Sequence, residues 1–220
     1  VAGRKIVGSN RYTLDALVRQ AGGIPRHLGT AADTPESLRA VLEQSRGADL
    51  LVTSAGASVG EFDYTRQVLE SLGADLRFWR VRMRPGAPLG FGTLDGMPWL
   101  GLPGNPVSAM VTFELFARPV VRRMLGHVRL FRRAIPATLE EPVVIGARLT
   151  HFLRAVTRVR EDGTLAVRLT GPQGSGILTS MSSANALLVV PEDRPRVDAG
   201  ERLNVLPLSE DAQLAEGFSL

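Results

Sequence analysis

The chain has 220 residues, 44 % of them hydrophobic and 22 % charged, which excludes a largely disordered protein and leaves room for one or two domains. Its net charge is +4 with a pI near 10.5, but Lys5 is the one lysine and the arginines are spread along the whole length. With 5 % aromatic residues and no basic stripe, nucleic-acid binding is not expected. The absence of cysteine removes disulfides, thiolate metal sites and cysteine nucleophiles. No apolar run reaches the ~18 residues of a membrane span, and no signal peptide is visible, so a cytoplasmic location is expected. The chain begins at Val1 and reads as an excerpt of something longer.

In chain order, Asn10 is a candidate cap for a helix whose apolar positions Leu14, Leu17 and Val18 share one face, and Gly22-Gly23 ends it. Ile24 to Leu28 reads as short and extended. Thr34-Pro35 then places a cap before a proline at the first helical position, with Leu38, Val41 and Leu42 as the buried stripe. Asp49 to Thr53 is a short apolar run, typical of a central strand covered on both faces. A turn of small residues follows, and a helix is expected to begin near Asp63, with Tyr64, Val68 and Leu72 spaced four apart and Gly73 as its stop. Leu76 to Val81 and Pro98 to Leu102 are further strand candidates. Asn105-Pro106 opens another helix with Met110, Phe113 and Leu115 as core positions, which Pro119 interrupts or bends before Gly126. Strand, helix, strand at this spacing predicts right-handed crossovers and a three-layer α/β domain with a mostly parallel sheet over residues 1–130.

From Phe131 the rhythm changes. Strand-like runs at Val143 to Ile145, Leu165 to Val167, Leu187 to Val190 and Leu203 to Val205 are separated by glycine turns at Asp162-Gly163 and Ala199-Gly200. A small β-barrel over residues 131–208 is the expected architecture, followed by an acidic tail over 209–220.

The turn after Thr53 contains Gly56-Ala57-Ser58-Val59-Gly60, a G-x-S-x-G pattern. One reading is a serine hydrolase with Ser58 as nucleophile and His127 or His151 downstream as base. Against it, Gly60-Glu61-Phe62 stand before a helix expected at Asp63, whereas an elbow serine runs directly into its helix. The other reading makes the turn a cradle, in which small residues let backbone N–H groups face an anion at a helix N-terminus. Pro103 and Pro106, around Gly104-Asn105, restrict a second loop at a strand-to-helix junction. Arg80, Arg82 and Arg84 alternate, so they share one face if that stretch is a single strand.

Four stretches taken together resemble one family: "GSN" with "DALVRQAGG"; "ADLLVTSAGASVGEFDYTRQVLESLGA"; "MRPGAPLGFG" with "GLPGNPVSAMVTFELFARPVVRRMLG"; and "QGSGILTSMSSANALLVVPE". The sequence is similar to the molybdopterin molybdenumtransferases, which put molybdate into the molybdenum cofactor, and to the related gephyrin E domain. The likeness runs from about Gly3 to Leu206, in the family's order. It implies a molybdopterin-binding α/β domain followed by a C-terminal β-barrel. It also implies two further domains upstream, through which a homodimer forms, and a chain that is a weak catalyst without them.

The resemblance makes adenylylated molybdopterin and molybdate the partners and Mg²⁺ the cofactor, with AMP released as molybdenum joins the dithiolene. A non-catalytic binding or scaffold module of the same fold is the other use it implies. Asp63 and Asp33 fall on the family's acidic positions and are the expected catalytic and metal-linked carboxylates, since Mg²⁺ takes one or two carboxylates plus phosphate oxygens. Gly56 and Ser58 become substrate contacts, as do Pro103, Asn105 and Pro106. Arg80 and Arg84 replace lysines that hold oxyanions, and Ser175, in Gln173-Gly174-Ser175, faces the cleft. Ala55 and Ala87 depart from the pattern, the latter where the family carries a lysine.

Overall fold

A computed structural model describes residues 8–54 and 61–208, the side chains of 61–64 excepted. Two compact units emerge, one from residues up to Val81 together with Gly86–Leu130, the other from Arg82–Pro85 together with the chain from Phe131 onward. Among the described residues no helix is long and apolar enough to cross a membrane.

In the first unit, helix α1 (Ser9–Gln20) starts after Gly8, so Asn10 sits inside its first turn and is not its cap. The Asn10 amide makes contacts with distant loops instead of with its own helix. Gly22, at φ +94°, ends the helix, and the N–H groups of Gly22 and Gly23 bond Arg19 O and Val18 O at 2.9 Å each. Ile24 to Leu28 forms no strand. Helix α2 (Pro35–Glu43) is capped as its sequence predicts, Thr34 Oγ1 accepting from Ser37 N–H at 3.2 Å. Strand β1 (Leu51–Ser54) follows, then helix α3 (Glu61–Ser71), which begins two residues before Asp63.

Next come β2 (Asp75–Arg80), the two-residue β3 (Met83–Arg84) of the second unit, β4 (Pro88–Leu94) and β5 (Met97–Leu102). The first unit's sheet has the order β1-β5-β4-β2. The expectation of a mostly parallel sheet needs correction: among the described residues β1–β5 is parallel, while β5–β4 and β4–β2 are antiparallel. Asp95 (φ 50°) and Gly96 (φ 78°) turn the chain straight back as a two-residue hairpin, the geometry that matches strand twist.

Alternation along the strands makes three layers. Leu100, Leu102, Leu89 and Phe91 pack with Leu14, Leu17 and Val18 of α1 and with Phe113 and Val121 of the later helices. Leu51, Trp99 and Leu94 face the other way, onto Leu38 and Leu42 of α2 and Val68, Leu69 and Leu72 of α3. Trp99 is 1 % exposed, its indole N–H donating to Thr53 Oγ1 at 3.2 Å and its ring 5.1 Å from that of Trp79. Gly90 and Gly101 make room for it: a Cβ on either would stand 2.5 or 2.6 Å from the indole. Helix α4 (Pro106–Thr112) continues through a π-helical turn, Phe113–Ala117, into α5 (Arg118–Met124). In that turn Arg118 N–H reaches back to Phe113 O, a register change just before Pro119, which has no N–H to offer.

The second unit is the expected barrel. Its strands are β6 (Ile135–Leu139), β7 (Val143–Val144), β8 (Thr150–Val159), β9 (Leu165–Leu169), β10 (Ala186–Val190), β11 (Arg196–Val197) and β12 (Arg202–Pro207), with a short helix α6 (Leu178–Ser182) between β9 and β10. The order β10-β12-β6-β9-β8 closes on itself because β8 also pairs with β10. Leu139, Leu153, Val167, Leu188 and Val205 fill the interior. One edge of β8 is shared: β3 lies along Thr150-His151 and β9 along Ala155 to Val159, leaving a gap at Arg154.

Candidate functional site

At the carboxyl end of the parallel pair, Ser54 stands opposite Leu102, and Pro103-Gly104-Asn105 leads into α4. Ser54 Oγ donates to Pro103 O at 3.3 Å, so its lone pair receives Asn10 Nδ2–H at 2.7 Å. The second Nδ2–H of Asn10 goes to Gly104 O at 2.8 Å. The "GSN" segment, the end of β1 and the proline loop are thereby tied at one point. Asn10 Oδ1 is left buried and without a partner among the described residues. Pro103 is buried while Gly104 and Asn105 are exposed, and Asn105, at the N-cap of α4, makes no side-chain cap bond. Its amide is available to a ligand, with Pro106 setting the first helical residue behind it.

Gly56, Ser58 and Ala55 lie outside the described residues, as does the Asp63 side chain; the Asp63 backbone is in the first turn of α3. Asp33 is exposed next to the α2 cap and has no hydrogen-bond or ion-pair partner among the described residues. Among those residues no group of three or more His, Asp or Glu side chains is gathered for a metal.

Arg80 and Arg84 are both exposed, but the stretch between them is not one strand. Arg80 ends β2 in the first unit and Arg84 is in β3 of the second, so the alternation does not place the three arginines on a common face. Arg82 is taken up by Glu192 at 2.8 Å and Arg148 O at 3.4 Å. Ala87 O accepts Val81 N–H at 2.9 Å, so the chain leaves and re-enters the first unit at one neck.

The second unit holds a feature that sequence reasoning missed. Arg154, in the middle of β8, is 0 % exposed and meets no carboxylate among the described residues. Nε donates to Ser180 Oγ at 3.0 Å and Nη2 to Gly174 O at 3.0 Å, while Nη1 is buried with no acceptor among the described residues. Burial pushes this guanidinium below its ordinary value, because the charged form is poorly solvated there. Ser180 Oγ donates its own hydrogen bond to Ile177 O at 2.6 Å. Ser175 is half-buried in the same loop and makes no hydrogen bond among the described residues. A lone cation within the apolar run His151-Phe152-Leu153-Arg154-Ala155-Val156 was the available signal.

Residues 1–123 match the family model described as "Probable molybdopterin binding domain", and residues 136–208 match the "MoeA C-terminal region (domain IV)". The chain belongs to the molybdopterin molybdenumtransferase family. It is 34 % identical over 209 residues to the molybdopterin molybdenumtransferase of Haemophilus influenzae, covering 93 % of this chain and 51 % of that protein. Molybdopterin molybdenumtransferase 2 of Mycobacterium tuberculosis is 37 % identical over 211 residues, with the same two coverages. The chain thus spans about half the length of the curated relatives it matches. Among solved structures, the molybdopterin biosynthesis MoeA protein from Pyrococcus horikosii superposes with a TM-score of 0.73 at 28 % identity, covering 95 % of this chain and 51 % of that one. A molybdenum cofactor biosynthesis protein from Pyrococcus furiosus gives 0.71 at 29 % identity, covering 91 % and 65 %. Family membership accounts for both the α/β unit and the closed barrel.

Proposed function

We propose that this chain inserts molybdate into adenylylated molybdopterin, with release of AMP, in molybdenum cofactor biosynthesis. Beyond family membership, Arg154 is the observation that carries the reading. A dry guanidinium without a counter-ion is costly, and a bound oxyanion offsets that cost while giving Nη1 its acceptor. Molybdate is a tetrahedral oxyanion of that kind, and Ser175 offers a hydroxyl from the neighbouring loop. For the anion to reach Nη1 the tip of the loop at Ser175-Gly176 must move aside, which its glycine permits while Gln173 and Gly174 keep their bonds to Arg154.

At the α/β unit, Gly56 and Ser58 contact the substrate, as do Pro103, Asn105 and Pro106, and Arg80 attracts its anionic groups; Arg84, in β3 of the second unit, is a further cation for an oxyanion. Each charged hydrogen bond contributes roughly 1.5 to 3 kcal/mol. Asp33, an exposed carboxylate with no partner among the described residues, fits the hard oxygen donor that Mg²⁺ prefers, and Asp63 would be its companion. Bound there, the ion would neutralise charge on the substrate's pyrophosphate. The protein's own part is binding and positioning, with no covalent intermediate on the chain.

A serine hydrolase acting through Ser58 is the second reading, and one observation favours it: Glu61 and Phe62, expected to stand before the helix, lie within α3. AMP release from adenylylated molybdopterin and molybdate distinguishes the two. Asp63→Asn is expected to lower the rate by ~10² to 10³, and Ser58→Ala to keep most of it. Unchanged AMP release in Asp63→Asn would remove the carboxylate's role. Loss of all activity in Ser58→Ala, with a fluorophosphonate adduct on Ser58 in the parent, would replace the transferase reading by the hydrolase.

A further inference from the structure

At Arg154 the regular ladder on one edge of β8 gives out, and no backbone acceptor meets its N–H there among the described residues. On one edge of β8, β3 covers Thr150-His151 and β9 begins at Ala155, and Arg154 falls between the two. The gap is filled by a side chain. Gln173 Oε1 accepts Arg154 N–H at 2.8 Å, and Gln173 Nε2 donates to Arg154 O at 3.1 Å and to Gly171 O at 2.9 Å. The orientation of this amide is fixed by its partners, since a backbone N–H only donates and the two carbonyls only accept. Thr170 closes the same carbonyl through N–H at 3.1 Å and Oγ1 at 3.2 Å.

We infer that Gln173 is the positioning residue of the oxyanion site: its amide takes over at Arg154, where the ladder to β9 gives out, and pins the base of the loop from Gly171 to Ile177 to β8. The inference rests on the reading of Arg154 as the oxyanion holder. Pinning has two consequences for the guanidinium. It places Gly174 O against Nη2 and keeps Ile177 O where Ser180 can bond it, so that Ser180 Oγ in turn receives Nε–H. With Nε and Nη2 both engaged, rotation of the planar fork is blocked and Nη1 has one direction to face. Gln173 touches neither the guanidinium nor, by this account, the anion. It acts through the loop. A preorganised donor binds an anion better than a mobile one, because no ordering cost remains at the moment of binding.

The test uses the whole 220-residue chain with molybdate as the probe, read by equilibrium binding and by the ¹⁵N–¹H resonance of Arg154 Nε, assigned by its disappearance in Arg154→Gln. Gln173→Ala is expected to weaken molybdate binding ~10-fold, in line with supports of ligand-holding groups elsewhere, and to broaden the Nε resonance. Gln173→Glu keeps the acceptor for Arg154 N–H but has no N–H for the two carbonyls, and should weaken binding as well. Leu188→Val destabilises the barrel without touching Arg154, and should leave affinity within about twofold, since its site is independent of the loop. Arg154→Gln is expected to abolish binding. If Arg154→Gln binds molybdate as the parent does, the oxyanion reading itself falls. If Arg154→Gln loses binding while Gln173→Ala retains both affinity and a sharp Nε resonance, the oxyanion reading stands and the role of Gln173 is overturned. Equal weakening by Leu188→Val and Gln173→Ala would likewise reduce Gln173 to general stability.

Discussion

Gly90 is a position where one methyl group decides a packing problem. Its Cα lies over the Trp99 ring so closely that an added Cβ would stand 2.5 Å from Cη2, inside any real contact distance. Gly101 makes the same concession at 2.6 Å, and the two glycines are register partners across β4 and β5. Neither has a left-handed backbone, so the requirement is space and not conformation. Gly90→Ala is therefore expected to cost about 1 to 3 kcal/mol by overpacking, seen as a lower urea midpoint with an unchanged slope. A midpoint equal to the parent's would show that Trp99 can move aside. Asn10 illustrates a different economy of one residue. Both of its N–H bonds are spent joining Ser54 to Gly104, which is why a residue that looks like a helix cap lies within the first turn of its helix.

Among elements, those whose signals are local were legible. The Thr34-Pro35 start of α2 is one, and its cap bond is present; Thr34→Ala should cost ~1 kcal/mol, measured by thermal unfolding, with loss of helix confined to the first turn. Gly22, Gly73, Gly163 and Gly200 stop or turn the chain at positive φ where the sequence places breaks. Two unpredicted strands have different physical causes. In β4 the glycines that accommodate Trp99 and approach Asp75 O erase the pattern of a strand and leave that of a loop. In β8, the longest strand, a buried arginine interrupts the apolar alternation, and a cation is read from sequence as surface. The acidic and basic positions of the proposed site were legible only through the family likeness. Asp33, Arg80 and Arg84 are exposed side chains whose surroundings impose no pattern on the sequence around them.

At the scale of the whole molecule, anionic ligands meet a chain of net charge +4 whose cations are almost all arginine, a group that stays charged at any pH the fold survives. Affinity for adenylylated molybdopterin is accordingly expected to fall with added salt and to change little between pH 6 and 9, estimates that follow from screening and from guanidinium acidity. A ligand held only by the folded chain raises its stability by ~2.7 kcal/mol when present at about 100 times Kd, which differential scanning calorimetry would register as a raised Tm. No shift at saturating ligand would argue against binding. The excursion of Arg82–Pro85 carries a further consequence, for synthesis. On the ribosome Met83–Arg84 emerges long before Thr150-His151, so the edge strand of the second unit is made while the first unit is still incomplete and must wait for its partner. Two residues suit that wait, because a strand so short offers passing chains too few unpaired groups to be a template.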